Sequence, residues 1–503
     1  MTSLISMAIP MRFVRRTGSW LALATLAVAG CSGGDDFVPG VPAKLTLEKS
    51  AFTFNAIGQT QVFLVTVVDG GGTPVDVPLV WSTSNPSIVK VNGAGLATAI
   101  SPGEGTINVS YGSLSSELAV TVAQTASRLE SVSGDLQATV PGRVLPVDLV
   151  VRVTDALNYS VGGTPVTFAT TSPGATITPA TVTADEFGFA RATMTLGPAE
   201  GEYTATATVT GTDISVGFTS TARVPSGPFD IEVVFTGGNP TPKVAQAFAA
   251  AEERWEAIIT SDLPDDHATL DAYACGNSPA MDRPIDDLVI FVQVGPIDGG
   301  GGILGGTGVC FLHDVGLLPA ISQMTLDSDD LANMAGQDLL LPVIEHEMGH
   351  ALGYGTLWGE TQFGDRGFLA DPSLSGGTDP HFTGTNALAQ FDLVGGAAYV
   401  GAKVPLETEG GYGTADAHWR ETVFDNELMT GYVNYGDNPL SVVSIGSMKD
   451  LGYDVDLSKA DPFQILTSLR KGSSKTIKLH NDILPGPIKI INRQGQIVGT
   501  YRK

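Results

Sequence analysis

Basic side chains are scarce. Against 53 Asp and Glu the chain sets only 27 Lys and Arg, a net charge of −26, which makes nucleic acid and anionic lipid poor partners. Charge of either sign is sparse too, at 16% of residues, while Gly reaches 61 and Pro 30. That balance argues against a helical cytosolic protein and for a β-rich, turn-rich extracellular one. Histidine is limited to seven residues and cysteine to three, Cys31, Cys275 and Cys310. Few metal sites can be built from such a stock. The 503 residues suffice for three or more domains, each with its own core.

The N-terminal apolar run, residues 20–29, is too short to span a bilayer comfortably. Preceded by Arg12, Arg15 and Arg16, it has the layout of a secretory signal. It ends Val28-Ala29-Gly30-Cys31, which resembles the lipobox of bacterial lipoproteins. The resemblance implies a signal peptide over 1–30 and a lipid anchor on Cys31. Ser32 in place of Asp at the next position implies the outer membrane, hence a bacterial envelope protein at the cell surface. Residues 31–40 then form a tether. In such an oxidising compartment the two remaining cysteines, Cys275 and Cys310, make one disulfide; a thiolate capping a metal in a latent form is the competing reading.

Residues 41–124 alternate apolar and polar between turn signals, with short strands expected at 45–47, 61–68, 79–82, 88–91, 96–99, 106–111 and 117–122. That spacing predicts a small β-sandwich. The run V-W-S-T-S-N-P-S-I-V at 80–89, followed by G-L-A-T-A at 95–99, resembles bacterial Ig-like group 2 domains and makes Trp81 a core residue. Residues 125–225 repeat the style. Their segments 164–168, 185–190, 192–196 and 203–209 resemble the Ig-like group 1 modules of invasin-type proteins. Neither module offers a metal cluster, a nucleophile with a base, or an aromatic strip, so both read as a stalk with a surface or matrix partner as its alternative use.

The chemistry lies further on, where residues 343–353 read V-I-E-H-E-M-G-H-A-L-G. His346 and His350 are four apart, so on a helix both imidazoles share one face and can hold one metal ion. Glu347 beside them can take a proton from water without being a ligand. This is the H-E-x-x-H arrangement of zinc peptidases, and it makes hydrolysis the leading idea. Asp338 is the expected N-cap and Gly353 the stop. A linker at 224–228 precedes the domain. Strands at 229–236, 288–294 and 321–327 and a helix opened by Pro242 follow the order of a metzincin N-terminal subdomain, with 321–327 as the edge along which a peptide pairs. The glycine-dense stretch 295–308 lacks the Lys-Ser/Thr of a P-loop and reads as a surface crossing near a cleft.

A catalytic zinc needs a third protein ligand and an open position. The compact metzincin pattern puts a His where this chain has Thr356, leaving His381 and His418 as candidates. Glu421 is the candidate of a gluzincin reading, although no clear helix carries it. Glu427-Leu428-Met429-Thr430-Gly431 resembles a Met-turn, and with His418 upstream the stretch resembles the leishmanolysin family, which separates helix and third ligand by a long insertion. The resemblance covers residues 229–455. It implies one catalytic zinc on His346, His350 and His418, Glu347 as general base, Met429 as a floor beneath the metal, and a protein or peptide substrate.

The expected architecture is thus two all-β Ig-like sandwiches, an α+β metzincin-type peptidase domain over 226–456, and a basic C-terminal β appendage over 457–503. Its strands are expected at 476–479, 488–491 and 496–501. The expected function is a surface-anchored zinc metalloendopeptidase using a zinc-activated water. The alternative is a non-catalytic adhesin or scaffold with a peptidase-derived binding domain.

Overall fold

The computed structural model describes residues 39–225, 227–359, 367–399, 403–465, 476–479 and 481–501. The expected signal peptide and Cys31 lie outside the described residues. No helix among the described residues is long and apolar enough to cross a membrane.

Two β-sandwiches come first. In the first, a four-stranded sheet ordered Ala51–Phe54, Leu114–Val122, Gly103–Tyr111, Val80–Thr83 faces a three-stranded one built from Thr60–Val62, Leu96–Ala99 and Val89–Val91. Alternate residues point inward, as a two-residue period demands. Leu118, Val120 and Val122 from one strand meet Phe54, Val89, Ala97 and Ile107 in the interior. The second sandwich pairs a four-stranded with a five-stranded sheet around Val151, Phe168, Ala207 and Phe218.

Two local expectations are corrected here, for the run 61–68 and for Trp81. The run 61–68 is not one strand, because it breaks into Thr60–Val62 and Val65–Asp69, which pair in different sheets. The segment 185–190 begins as a turn, its Asp185 carboxylate accepting the N–H groups of Phe187 and Phe189, and the strand starts at Phe189. Trp81 is partly buried, packed on the edge of the first core.

The C-terminal domain is α+β. Its six-stranded sheet runs Ile231–Phe235, Leu288–Gly295, Pro319–Asp327, Gly305–His313, Ile488–Ile491, Ile497–Tyr501. Leu288–Gly295 is apolar without alternation because both faces are covered. Leu288, Ile290 and Val292 face the helices, while Val289 and Phe291 join the opposite cluster with Phe311, Ile321, Cys275 and Cys310. The two cysteines are bonded there, S–S 2.02 Å. Helix Pro242–Ile258 opens with Thr241 as N-cap and buries Val244, Phe248, Ala251, Trp255 and Ile258, the period-3.6 set expected of it.

Two placements differ from expectation in ways that matter for the site. Strand Pro319–Asp327 lies in the interior of the sheet rather than at its edge. The end of the glycine-rich stretch is itself a strand, Gly305–His313, which pairs antiparallel with Pro319–Asp327 and parallel with Ile488–Ile491. The basic tail is therefore built into the sheet.

Candidate metal centre

The His-bearing helix is Leu340–Ala351. Asp338 does not cap it: Asp338 adopts a positive φ of 54°, and Leu339 is the N-cap with no side-chain hydrogen bond. The apolar face holds the helix instead. Val343, Ile344 and Met348 join the main core, Trp255 Nε1 donates to Glu345 O at 3.0 Å, and Ser322 Oγ donates to Ala351 O at 2.8 Å. Past Leu352 the chain turns at Gly353, φ 99°. His346, Glu347 and His350 are fully buried.

His418 arrives on a separate loop, 68 residues beyond His350. Its position is set from both sides. Glu407 N–H donates to His418 O at 2.9 Å, and Trp419 N–H donates to Met429 O at 3.1 Å. Tyr354, Trp358, Trp419 and Phe424 pack in series, edge-on, tilted and then stacked, with centroids 4.5, 5.2 and 5.3 Å apart, tying the end of the His helix to the residue after His418. Met429 is fully buried beneath the helix: a Cβ on Gly349 would lie 2.9 Å from its Cε. The Glu427 carboxylate fixes this turn by accepting from Met429 N at 2.6 Å, Ser441 N at 3.0 Å and Ser444 Oγ at 2.5 Å.

The three imidazoles converge. Nε2 of His346 lies 3.0 Å from that of His350 and 3.2 Å from that of His418, and the last two are 3.0 Å apart. Each ring has its Nδ1 on a backbone carbonyl: His346 on Leu428 O at 2.7 Å, His350 on Tyr354 O at 2.9 Å, His418 on Thr414 O at 3.0 Å. With Nδ1 donating, three Nε2 lone pairs face one another. Without a cation between them that arrangement is repulsive. His381 and Glu421 stand apart from this group: His381 binds Asp379 O at 2.7 Å, and Glu421 opens a four-residue helix.

A fourth atom completes the cluster, and it comes from the tail. Asp482 Oδ2 lies 3.1 Å from His418 Nε2, 3.3 Å from His346 Nε2 and 4.0 Å from His350 Nε2. Nitrogens held at about 2.0–2.1 Å from a tetrahedral zinc stand roughly 3.3 Å apart, so donor types and spacing both fit that ion. Asp482 Oδ1 is buried without a hydrogen-bond partner. Burial and the neighbouring His346 and His418 hold His350 well below its usual pKa. Burial opposes a charge on His418, but the Asp482 carboxylate outweighs it and raises that pKa. Glu347 points its Oε2 at Thr307 Oγ1, 2.7 Å away, and leaves Oε1 unpartnered. Burial first, then the Asp482 charge, push its carboxyl up to about 8.

Residues 282–466, which include every histidine of the cluster and Met429, match the family model described as leishmanolysin. This stretch is similar to the leishmanolysin family. Asp482 lies beyond the matched residues of that family. No curated protein matches the chain. Solved structures similar to the chain are domains 5–6 of the S-layer protein SbsC, 18% identical over 37% of this chain and 99% of that one at TM-score 0.16. The adhesin InvE of Yersinia pseudotuberculosis is 17% identical over 39% and 62%, TM-score 0.22. The D00–D0 domain of intimin is 16% identical over 36% and 100%, TM-score 0.21. The leishmanolysin-type domain therefore rests on the family match and on its own geometry. The two residues that sequence reading missed are Glu427 as the clamp of the turn and Asp482. Asp482 carried one signal: it is the only acidic residue after Asp461.

Proposed function

We propose that the chain is a zinc endopeptidase held at the bacterial surface by a lipid on Cys31, with the two sandwiches as its stalk. The observation that carries the catalytic part is the triangle of three buried Nε2 atoms, 3.0–3.2 Å on each edge, with the Glu347 carboxylate beside it. His346, His350 and His418 would hold the ion. Bound zinc supplies Lewis acidity, acidifying a water molecule and polarising a carbonyl. Glu347 accepts the proton at its unpartnered Oε1 and delivers it to the leaving amine, while Thr307 Oγ1 holds the other oxygen and fixes the carboxylate plane. The buried core around the cluster excludes bulk water. The anchoring and the surface location rest on the Val28–Cys31 sequence alone.

The second reading is a domain that binds without cleaving, and the observation that favours it is Asp482 at the fourth corner of the cluster. The discriminating test is therefore made in the Asp482→Ala chain. Zinc bound, casein cleaved, and cleavage reduced by about 10²–10⁴-fold in Asp482→Ala/Glu347→Gln with zinc retained is the outcome expected of a Glu general base. Zinc bound with no cleavage of any general peptide substrate would favour the binding role.

A further inference from the structure

We propose that residues 481–484 form an autoinhibitory strap that closes the active cleft, with Asp482 as the ligand that takes the place of the reacting water. This rests on the zinc-peptidase reading above and specifies how that site is regulated. A catalytic zinc site keeps one corner open and a structural site closes all four with protein. Here all four corners are protein atoms, His346, His350, His418 and Asp482. A base such as Glu347 has no task in a closed site, so its presence at 0% exposure beside the cluster marks the closed state as one of two.

The strap also occupies the strand edge that a peptide would need. Thr307 N–H donates to Asp482 O at 2.6 Å, and Leu484 N–H donates to Thr307 O at 2.8 Å. These are the bonds of a parallel strand added to Gly305–His313. The glycines of that strand let the strap lie flat. A Cβ on Gly308 would stand 3.1 Å from Leu484 Cβ and 3.2 Å from Leu484 O, and one on Gly306 would stand 3.2 Å from Leu484 Cδ2. On the far side Gly413 makes room in the same way, where a Cβ would sit 2.9 Å from Asn481 Cα.

Both ends are fastened. Before the strap, Thr476–Lys478 pairs with Tyr432–Asn434 just past the Met-turn, and Leu479 N–H donates to Gly431 O at 3.0 Å. After it, Ile488–Ile491 continues along residues 311–313 of the same glycine strand. The chain thus crosses from the Met-turn side to the sheet side directly over the three imidazoles. Activation then requires residues 481–484 to leave the cleft while the flanking strands stay paired or are displaced with them.

The test uses the full chain loaded with cobalt(II), read by its visible spectrum with and without acetohydroxamate, a small bidentate ligand that needs an open metal position. In the parent the spectrum should not respond. In Asp482→Ala it should shift saturably, and casein cleavage should rise by about tenfold or more, as expected if the strap is closed at least about nine-tenths of the time. Gly308→Ala loosens the strap from the sheet side without touching a ligand, and should give a partial response. A parent spectrum that shifts as readily as that of Asp482→Ala would overturn the strap, as would loss of cobalt from Asp482→Ala while the parent retains it. Cobalt bound and opened to acetohydroxamate without cleavage supports the strap and defeats the peptidase reading. No cobalt in any of the three chains removes both.

Discussion

At the scale of single residues, two buried carboxylates do different work around the same histidine cluster. Glu347 has one oxygen on Thr307 and one without a partner, the oxygen to which the proposed mechanism assigns the proton. Replacing Thr307 by Val keeps the shape and removes the hydroxyl. In the Asp482→Ala background this should leave zinc content unchanged and lower kcat by roughly 10–100-fold, the value of one hydrogen bond to a charged group. Glu427 instead holds three donors and never faces the cluster. Glu427→Ala should weaken zinc binding by about 10–100-fold, as loss of an outer support does, measured by competition with a chelating dye; unchanged affinity would show that the turn holds without its clamp. The His346-Glu347-His350 helix was legible in the sequence because its chemistry is local, set by a four-residue spacing. Asp482 was not, because its partner His346 is 136 residues away and nothing near it repeats.

At the scale of elements, the position of His418 depends on how the chain leaves the His helix. Gly355 has φ 68°, and a Cβ there would lie 2.4 Å from Ala417 O, the residue before His418. Gly355→Ala should therefore cost about 1–3 kcal/mol in stability, the range for overpacking, and weaken zinc binding with it. A Tm and a zinc affinity both equal to the parent's would contradict this coupling. The helix Pro242–Ile258 and the tail strand Ile488–Ile491 were readable from periodicity to within a residue. The edge of the sheet was not, since strand order is decided by pairing partners far away in sequence. Glycines that suggest a loop when counted end here in a strand, where Gly306 and Gly308 leave room for Leu484 to lie against it. The Cys275–Cys310 bridge ties this same strand to the loop 35 residues before it. Its removal by Cys275→Ser/Cys310→Ser should cost about 3–4 kcal/mol on the loop-entropy estimate, read as a fall in denaturation midpoint under non-reducing conditions.

At the scale of the whole molecule, the second sandwich and the leishmanolysin-type domain meet over a buried charge cluster. Arg223, just past the last sandwich strand, reaches Glu252 at 3.1 Å, Glu256 at 2.9 Å and Asp230 at 3.9 Å. One cation cannot neutralise three carboxylates, and burial pushes Asp230 up to about 7 and Glu252 up to about 8. In the unfolded chain these groups titrate near their ordinary 3.8 and 4.5. Between the two ranges the folded state binds more protons than the unfolded state, so stability is full below about pH 4 as far as these groups are concerned and is lost as pH rises towards 8. A Tm that falls from pH 5 to pH 8, with a flatter slope in Glu252→Gln, is the expected result; identical slopes would show that Glu252 stays charged throughout. The division into two sandwiches and a mixed domain was readable from composition and alternation. The way they join was not, because Arg223 and Glu252 look like ordinary surface charges until the fold buries them together.

The central claim is that His346, His350 and the distant His418 make one zinc site, and the most direct measurement is elemental analysis of the purified full chain beside His418→Ala. One zinc per chain in the parent, falling towards none in His418→Ala, is the predicted result. Equal zinc in both, held with the same affinity, would contradict the site as built from His346, His350 and His418.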